Sequence, residues 1–325
     1  MQRANIMGED GHLYFHSPCF DGIVSCVLVW DFLETNQRWS IEEIHPVNYD
    51  ARSSWLSTPL LTRAAVVDFL YHPEAQFWAD HHLTTFLTNE AKADFEARLD
   101  PFLVYDPAAG SCAQLLWNHF AAAFGYRNPA YDDMVEWADK IDAARYASVE
   151  EAILGTQPAL KINLTLNLQE DQTYCADLVR LLRREPLDRV ASLPEVKARL
   201  ERAESLTRAG LERFVNAARL EDNGIAVFDV RSHDVIISRY APYYVFPRAR
   251  YSVGIVRSPD DVTITAMRNP WRQFHSVPLG KIFSEFGGGG HQRVAALVLS
   301  GDRVAEASLI LNQIISDIRK SEVIP

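Results

Sequence analysis

Several features are scarce in this chain, and each scarcity removes a class of protein. The 325 residues contain four cysteines, at 19, 26, 112 and 175, and no two form a Cys-x-x-Cys pair. This argues against a disulfide framework or a thiolate zinc ribbon, and reduced thiols in a cytoplasm are expected. No apolar run reaches the roughly 18 residues that a membrane-spanning helix needs; the best candidate, IVSCVLVW, is stopped by Asp31. The opening MQRANIMGED lacks the basic-then-apolar pattern of a secretory leader, so none is expected. Positive charge is short as well: 32 Lys and Arg face 43 Asp and Glu, for a formal net charge of -11. That balance disfavours holding long duplex DNA by bulk electrostatics, although it is compatible with a local basic groove.

The residues present form a globular composition, 48% hydrophobic and 23% charged, with length enough for one large domain or two ordinary ones. The first half alternates short apolar strands with helical patterns, which predicts an α/β domain with a mostly parallel sheet. HLYFH (12–16), AAVVDFL (64–70), QFWADH (76–81) and FLVYD (102–106) read as strands. Helices are predicted over 22–36, over 110–125 with Ser111 as N-cap, and over 130–146. A charged amphipathic stretch at 191–220 reads as a helical connector between a first domain, 1–190, and a smaller mixed-sheet α/β domain, 221–325. A site between the two domains is the default expectation for a ligand.

Polar residues collect at the predicted strand ends, where ligands gather in parallel sheets. They are His16 and Asp21 in FHSPCFDG, Asp68 in VVDF, Asp80, His81 and His82 in WADHH, and Asp139 and Asp142 in WADKID. Singly, such an aspartate is commonly a turn or cap residue and such a histidine an ordinary hydrogen-bonded one. Crowding two imidazoles and a carboxylate at one strand end is costly without a cation, which points to a metal site. Oxygen and imidazole ligands with an open position for water suit metal-assisted hydrolysis. In the second half, FGGGGHQRVAA (286–296) places four successive glycines before His291 and Arg293. Their backbone N–H groups are able to face phosphate oxygens, and Arg268 and Arg272 are candidates for the same anion site.

Together HSPCFDG, VVDF, ADHH, WADKID and GGGGHQRVAA, in this order over roughly 12–300, resemble the DHH phosphoesterase superfamily with its DHH-associated C-terminal domain. That superfamily includes RecJ-type exonucleases, nanoRNases, cyclic-dinucleotide phosphodiesterases and exopolyphosphatases. The resemblance implies two divalent cations, typically manganese, bridged by Asp68. One would also take Asp21, His81 and Asp139, the last chosen over Asp142 because WAD matches the fourth motif. The other would take His16 and the first-motif position filled here by Cys19. Catalytic roles would fall to His82, facing the substrate phosphate, and to its neighbour Asp80. Arg268, Gly288, Gly289, Gly290, His291 and Arg293 would hold the far end of the substrate. The implied activity is two-metal hydrolysis of phosphoesters in short single-stranded oligonucleotides or small nucleotides; no membrane partner is expected, and the chain is compatible with a homodimer.

Cys19 departs from the family pattern, which has an aspartate there. A thiolate ligand favours zinc or ferrous iron, whereas a neutral thiol leaves one cation site weak. His72 is a candidate substitute ligand, although an ordinary loop role suits it better. Two alternatives stay open: a pyrophosphatase or exopolyphosphatase, and a weakened nucleotide- or phosphate-binding protein. Phe69, Tyr71, Tyr243, Tyr244 and Trp271 are possible base-stacking groups or core residues.

Overall fold

Strand β1 (Asp10–His16) of the computed structural model buries Leu13 and Phe15 completely, while His12, Tyr14 and His16 line its other face. This period of two is what a strand imposes. The structure describes residues 10–168, 171–259, 261–290 and 292–323. Helix α1 (Phe20–Gln37) follows, with every residue from Phe20 to Val29 buried. A helix apolar on most faces must lie largely inside the domain, and the first part of α1 does so against β1. Next come β2 (Ser40–Val47), β3 (Ala64–Val67), β4 (Phe77–Asp80), α2 (Asn89–Ala97), β5 (Leu103–Tyr105), α3 (Cys112–Phe124) and α4 (Asp132–Asp142). All strand pairs among β1 to β5 are parallel, in the order β2-β1-β3-β4-β5. In such a doubly wound sheet the chain reverses direction of travel between β1 and β3, and the crevice outside their carboxyl ends is where ligands bind.

The helices that continue the chain are α5 (Val149–Leu154), α6 (Pro158–Thr165), α7 (Gln172–Leu182), α8 (Leu187–Ala191) and α9 (Pro194–Ala217). Helices α3, α4 and α7 cover α1. By internal contacts the chain divides into one unit of residues 1–145 and 157–200 and another of 146–156 and 201–325. The division therefore falls within α9, the helix expected as a connector, and α5 belongs with the second unit.

The second unit adds β6 (Ala218–Leu220), β7 (Ile225–Arg231), α10 (Ala241–Val245), β8 (Tyr251–Arg257), β9 (Asp261–Arg268), α11 (Leu279–Ser284), β10 (Gly289–Gly290), β11 (Val294–Ser300) and α12 (Ala307–Val323). Its sheet runs β10-β11-β9-β8-β7-β6 and is mixed, since β7 and β8 are parallel and the other pairs antiparallel. Alternate residues of β7 feed two cores. Ile225 and Val227 join Leu279, Phe283 and Ile314 on one side, and Phe228 and Val230 join Phe214 of α9 on the other. The expected architecture, a parallel α/β sheet followed by a smaller mixed-sheet α/β unit, is the one observed. All four cysteines are free, and no helix of the described residues is long and apolar enough to cross a membrane.

Candidate metal centre

The carboxyl ends of β1, β3 and β4 deliver one residue set to one place. His16 ends β1, and α1 begins four residues later because Gly22 lets it close tightly: a Cβ at Gly22 would lie 2.1 Å from the carbonyl oxygen of His16. Asp21 sits in the first turn of α1 with 1% exposure. Its carboxylate accepts the N–H groups of Cys112 (2.7 Å) and Ala113 (2.9 Å) at the start of α3, and the positive end of that helix favours the charge. Ser111 caps α3 by accepting the N–H of Gln114, as its sequence predicts. Asp68 stops β3 by turning into the left-handed region, φ 55°. Aspartate tolerates this conformation better than most residues, and such conformations collect at functional sites.

Asp68 stands at the middle of the set. Its Oδ2 lies 3.3 Å from His16 Nδ1, and its Oδ1 lies 3.7 Å from His81 Nε2 and 3.8 Å from His82 Nδ1. His81 Nε2 is also 3.4 Å from Asp142 Oδ2 and 3.8 Å from Asp21 Oδ2. Cys19 groups with His16 and Asp68, their ligand atoms all within 4.8 Å of one another. Two atoms that each bind one cation at about 2.1 Å stand about 3.0–3.4 Å apart at right or tetrahedral angles and up to about 4.2 Å apart when opposite. The observed separations suit atoms that share cations; the His16–Asp68 contact is a long hydrogen bond, and those of 3.7–3.8 Å are beyond hydrogen-bond range.

Three further observations test this fit. Asp68 Oδ1, Asp80 Oδ2 and His81 Nε2 are buried without any hydrogen-bond partner, a condition that costs about 1–3 kcal/mol per group unless something else satisfies them. His81 donates from Nδ1 to the carbonyl of Ala109 (3.2 Å), which leaves the Nε2 lone pair facing the carboxylates, the usual support for a metal-binding imidazole. Finally, Asp80 Oδ1 accepts the backbone N–H of His81 (2.8 Å) and the Nδ1–H of His82 (2.7 Å), so it organises both histidines.

The electrostatics run the same way. Burial, then the charges of Asp68 and Asp142, push the Asp21 carboxyl well above the usual carboxylate range. Burial, followed by Asp68, Asp142 and Asp21, likewise pushes the Cys19 thiol well above the usual thiol range. For Asp68, burial opposes ionisation, but the hydrogen bond from His16 and the charges of His82, His16 and His81 overcome it and lower the pKa. Burial disfavours the charge on His82 too; the hydrogen bond to Asp80 and the fields of Asp80, Asp68 and Asp142 outweigh it and push the pKa up to about 10. A cluster with this much packed negative potential is built for cations.

No family model matches the chain, and no curated protein matches it by sequence. Solved structures do. The pGpG-specific phosphodiesterase PggH from Vibrio cholerae has a TM-score of 0.67 at 18% identity, over 94% of this chain and 99% of that one. A DHH domain from a protein described as belonging to a family of ribosomal proteins has a TM-score of 0.55 at 12% identity, over 95% and 86%. The fold is that of a DHH domain. RecJ from Thermus thermophilus in complex with Mn2+ shares it, with a TM-score of 0.56 at 14% identity, over 96% of this chain but 52% of that one.

Within the DHH fold, the structure gathers His16, Cys19, Asp21, Asp68, Asp80, His81 and His82 as their sequence positions suggest. At the fourth motif the member of the cluster is Asp142; Asp139, three residues earlier on α4, is paired with Arg145 instead. His72 is outside the groups of ligand-capable side chains among the described residues. It is 2% exposed, its Nδ1 accepts the N–H of Glu74 (3.2 Å), and its ring stands edge-on to Trp55, so it is a buried structural residue and no surface one. Sequence reasoning did not single out Tyr49, whose ring lies edge-on to His16 with centroids 5.0 Å apart. It follows β2, and neither strand nor tyrosine carries a local motif.

In the second unit, His291 lies outside the described residues. The neighbouring glycines have reasons within the fold: a Cβ at Gly288 would lie 2.7 Å from the Ala296 carbonyl oxygen, and one at Gly290 2.3 Å from that of Val294, because β10 hugs β11. Gly289 has open space around it. Arg268 donates to the carbonyls of Asn269 and Phe274 (3.2 Å each) and lies over the Phe274 ring, while Arg293 is exposed. Of the aromatic residues considered for stacking, Phe69, Tyr71 and Tyr243 are core. Trp271 donates to the Tyr146 carbonyl, and Tyr244 is 47% exposed.

Proposed function

We propose that this chain is a metal-dependent phosphoesterase acting on phosphodiester bonds of short single-stranded oligonucleotides or small linear dinucleotides. The observation that carries the reading is the position of Asp68, whose two oxygens face two separate ligand groups. Asp21, His81 and Asp142 would hold one divalent cation and His16 with Cys19 the other, with Asp68 contributing to both. When bound, such cations would supply charge neutralisation at the phosphoryl oxygens and a deprotonated water near neutral pH. His82, kept cationic and oriented through Nδ1 by Asp80, presents its Nε2–H as a donor to a phosphoryl oxygen. Asp80 is thus a positioning residue. Arg268, Gly289 and Arg293 remain proposed contacts for the rest of the substrate, and no nucleophilic side chain is needed.

Two points support a small substrate. One solved structure of similar fold is named for a phosphodiesterase specific for pGpG, and the net charge of -11 offers little to a long backbone. Manganese is the proposed metal, with zinc or ferrous iron favoured if Cys19 binds as thiolate. The four free cysteines suit a reducing cytoplasm. The test is turnover with manganese on pGpG, short oligoribonucleotides, bis-phosphorylated adenosine, cyclic dinucleotides and polyphosphate. Hydrolysis of the short linear phosphodiesters supports the proposal; inactivity on all five rejects it, and activity on polyphosphate alone moves the assignment to an exopolyphosphatase. A second reading, a nucleotide binder with little turnover, rests on Cys19 standing where the resembled family has an aspartate, beside His16 and Asp68. It predicts binding of pGpG without hydrolysis and a large gain in turnover for Cys19→Asp.

A further inference from the structure

We propose that His12, Glu43 and His45 form a separate binding site for a divalent transition-metal ion of the zinc class, on the β1–β2 side of the first unit. The parallel register sets His12 opposite Glu43 and Tyr14 opposite His45. His45 Nε2 lies 3.2 Å from His12 Nδ1 and 3.8 Å from Glu43 Oε2, and the three side chains offer ligand atoms all within 4.8 Å of one another. These separations match those in the catalytic cluster and, as there, suit atoms that share one ion.

The local fold explains how the three come together. Gly11 pairs with Ile41 and His12 with Glu43, so Glu42 is an extra residue, a bulge in β2. Bulges re-aim side chains, and this one turns two successive glutamates toward the histidines. Glu43 approaches His45 Nε2, while Glu42 Oε2 lies 3.8 Å from His12 Nε2, the nitrogen away from the proposed ion. At that distance Glu42 acts on His12 through its charge, adding to the negative potential that favours a cation here. His45 is stacked on Tyr14 with centroids 4.6 Å apart, which holds its ring in place. Burial lowers its pKa, with Glu43 opposing and His12 assisting, so the neutral ligand form prevails near neutral pH.

Donor chemistry selects the ion. Two imidazole nitrogens and one carboxylate suit zinc and its first-row neighbours, whereas magnesium and calcium prefer oxygen alone. The side chains of His12 and His45 are 14% and 22% exposed and that of Glu43 is 60% exposed, so a hydrated ion can enter and keep open positions for water. A plain hydrogen bond between the two histidines would account for the 3.2 Å contact, but not for the convergence of two glutamates on the same pair. His12 and His16 lie four residues apart on one face of β1, about 13 Å along the strand, so this site is independent of the cluster around Asp68.

Zinc titration of the full chain by calorimetry tests the proposal. The parent is compared with His45→Gln and Glu43→Gln, and each pair is repeated in an Asp68→Asn background that weakens the other cluster. The expected result is one zinc equivalent that persists in Asp68→Asn, is lost in Asp68→Asn/His45→Gln, and binds at least about tenfold more weakly in Asp68→Asn/Glu43→Gln. Glu43 is exposed, so its replacement leaves the fold intact and decides the matter if His45→Gln fails to fold. Zinc stoichiometry and affinity unchanged by both replacements would overturn the proposal, whatever the Asp68 cluster does.

Discussion

Replacing Asp142 and Asp139 one at a time separates two residues that the motif alone makes nearly equivalent. Asp142 Oδ2 is 3.4 Å from His81 Nε2 and groups with Asp21 as well, so under the proposed function Asp142→Asn would remove a direct cation ligand. Loss of a partner that merely supports a ligand weakens metal binding about 10–100-fold. The upper end is a floor for a ligand itself: about 100-fold, or about 2.7 kcal/mol. Asp139 is paired with an Arg145 side chain that is 53% exposed, a type of contact worth about 0–1 kcal/mol to stability. Asp139→Asn should therefore leave manganese affinity within a few-fold of the parent and shift the melting temperature only slightly. Calorimetric titration with manganese, together with turnover of pGpG as a function of manganese concentration, reads both variants. Asp142 is refuted as the ligand if Asp139→Asn loses as much affinity as Asp142→Asn, or more.

Cys19→Asp should move metal preference toward manganese and away from zinc, because a hard carboxylate replaces a soft sulfur; measured affinities for both ions with an unchanged ratio would contradict this. His82→Gln should lower kcat about 100-fold or more, as loss of one donor to developing charge does, while manganese affinity stays near that of the parent. A matching loss in both quantities would make His82 a ligand. The last expectation concerns pH. Asp21 is raised by burial, Asp68 and Asp142, so its folded pKa exceeds the unfolded one. The associated stabilisation is present below the unfolded value and is lost as pH rises through the folded one. Metal binding must also displace those protons, so the rise in melting temperature produced by manganese should be larger at about pH 8 than at about pH 6. A rise independent of pH would show that the buried carboxyls are not engaged.

How far the molecule was legible beforehand depended on what each segment must satisfy locally. The strand–helix alternation, the mostly apolar α1 and the Ser111 cap of α3 follow from burial periodicity and capping chemistry, and all are observed. The polar strand ends announced the cluster because parallel sheets place their ligands there. By contrast, β2 is hidden in SIEEIHPV: the bulge at Glu42 breaks the alternation, only Ile41 and Ile44 are buried, and Pro46 reads as a strand breaker until the strand is seen to be an edge. Asp139 and Asp142 lie three residues apart on α4, hence on nearly the same face, and what tells them apart is that Asp139 pairs with Arg145 while Asp142 approaches the sequence-distant His81. The glycine run conveyed freedom to wrap a ligand, whereas two of its members are required by the close approach of β10 to β11.

The central claim is that Asp68 joins two cation sites at the carboxyl ends of β1, β3 and β4. Anomalous scattering from crystals grown with manganese measures this directly. The account predicts two peaks flanking Asp68, one beside Asp21, His81 and Asp142 and the other beside His16 and Cys19. A map with no peak at Asp68, or with manganese bound through Asp139 while Asp142 stands apart, would contradict it.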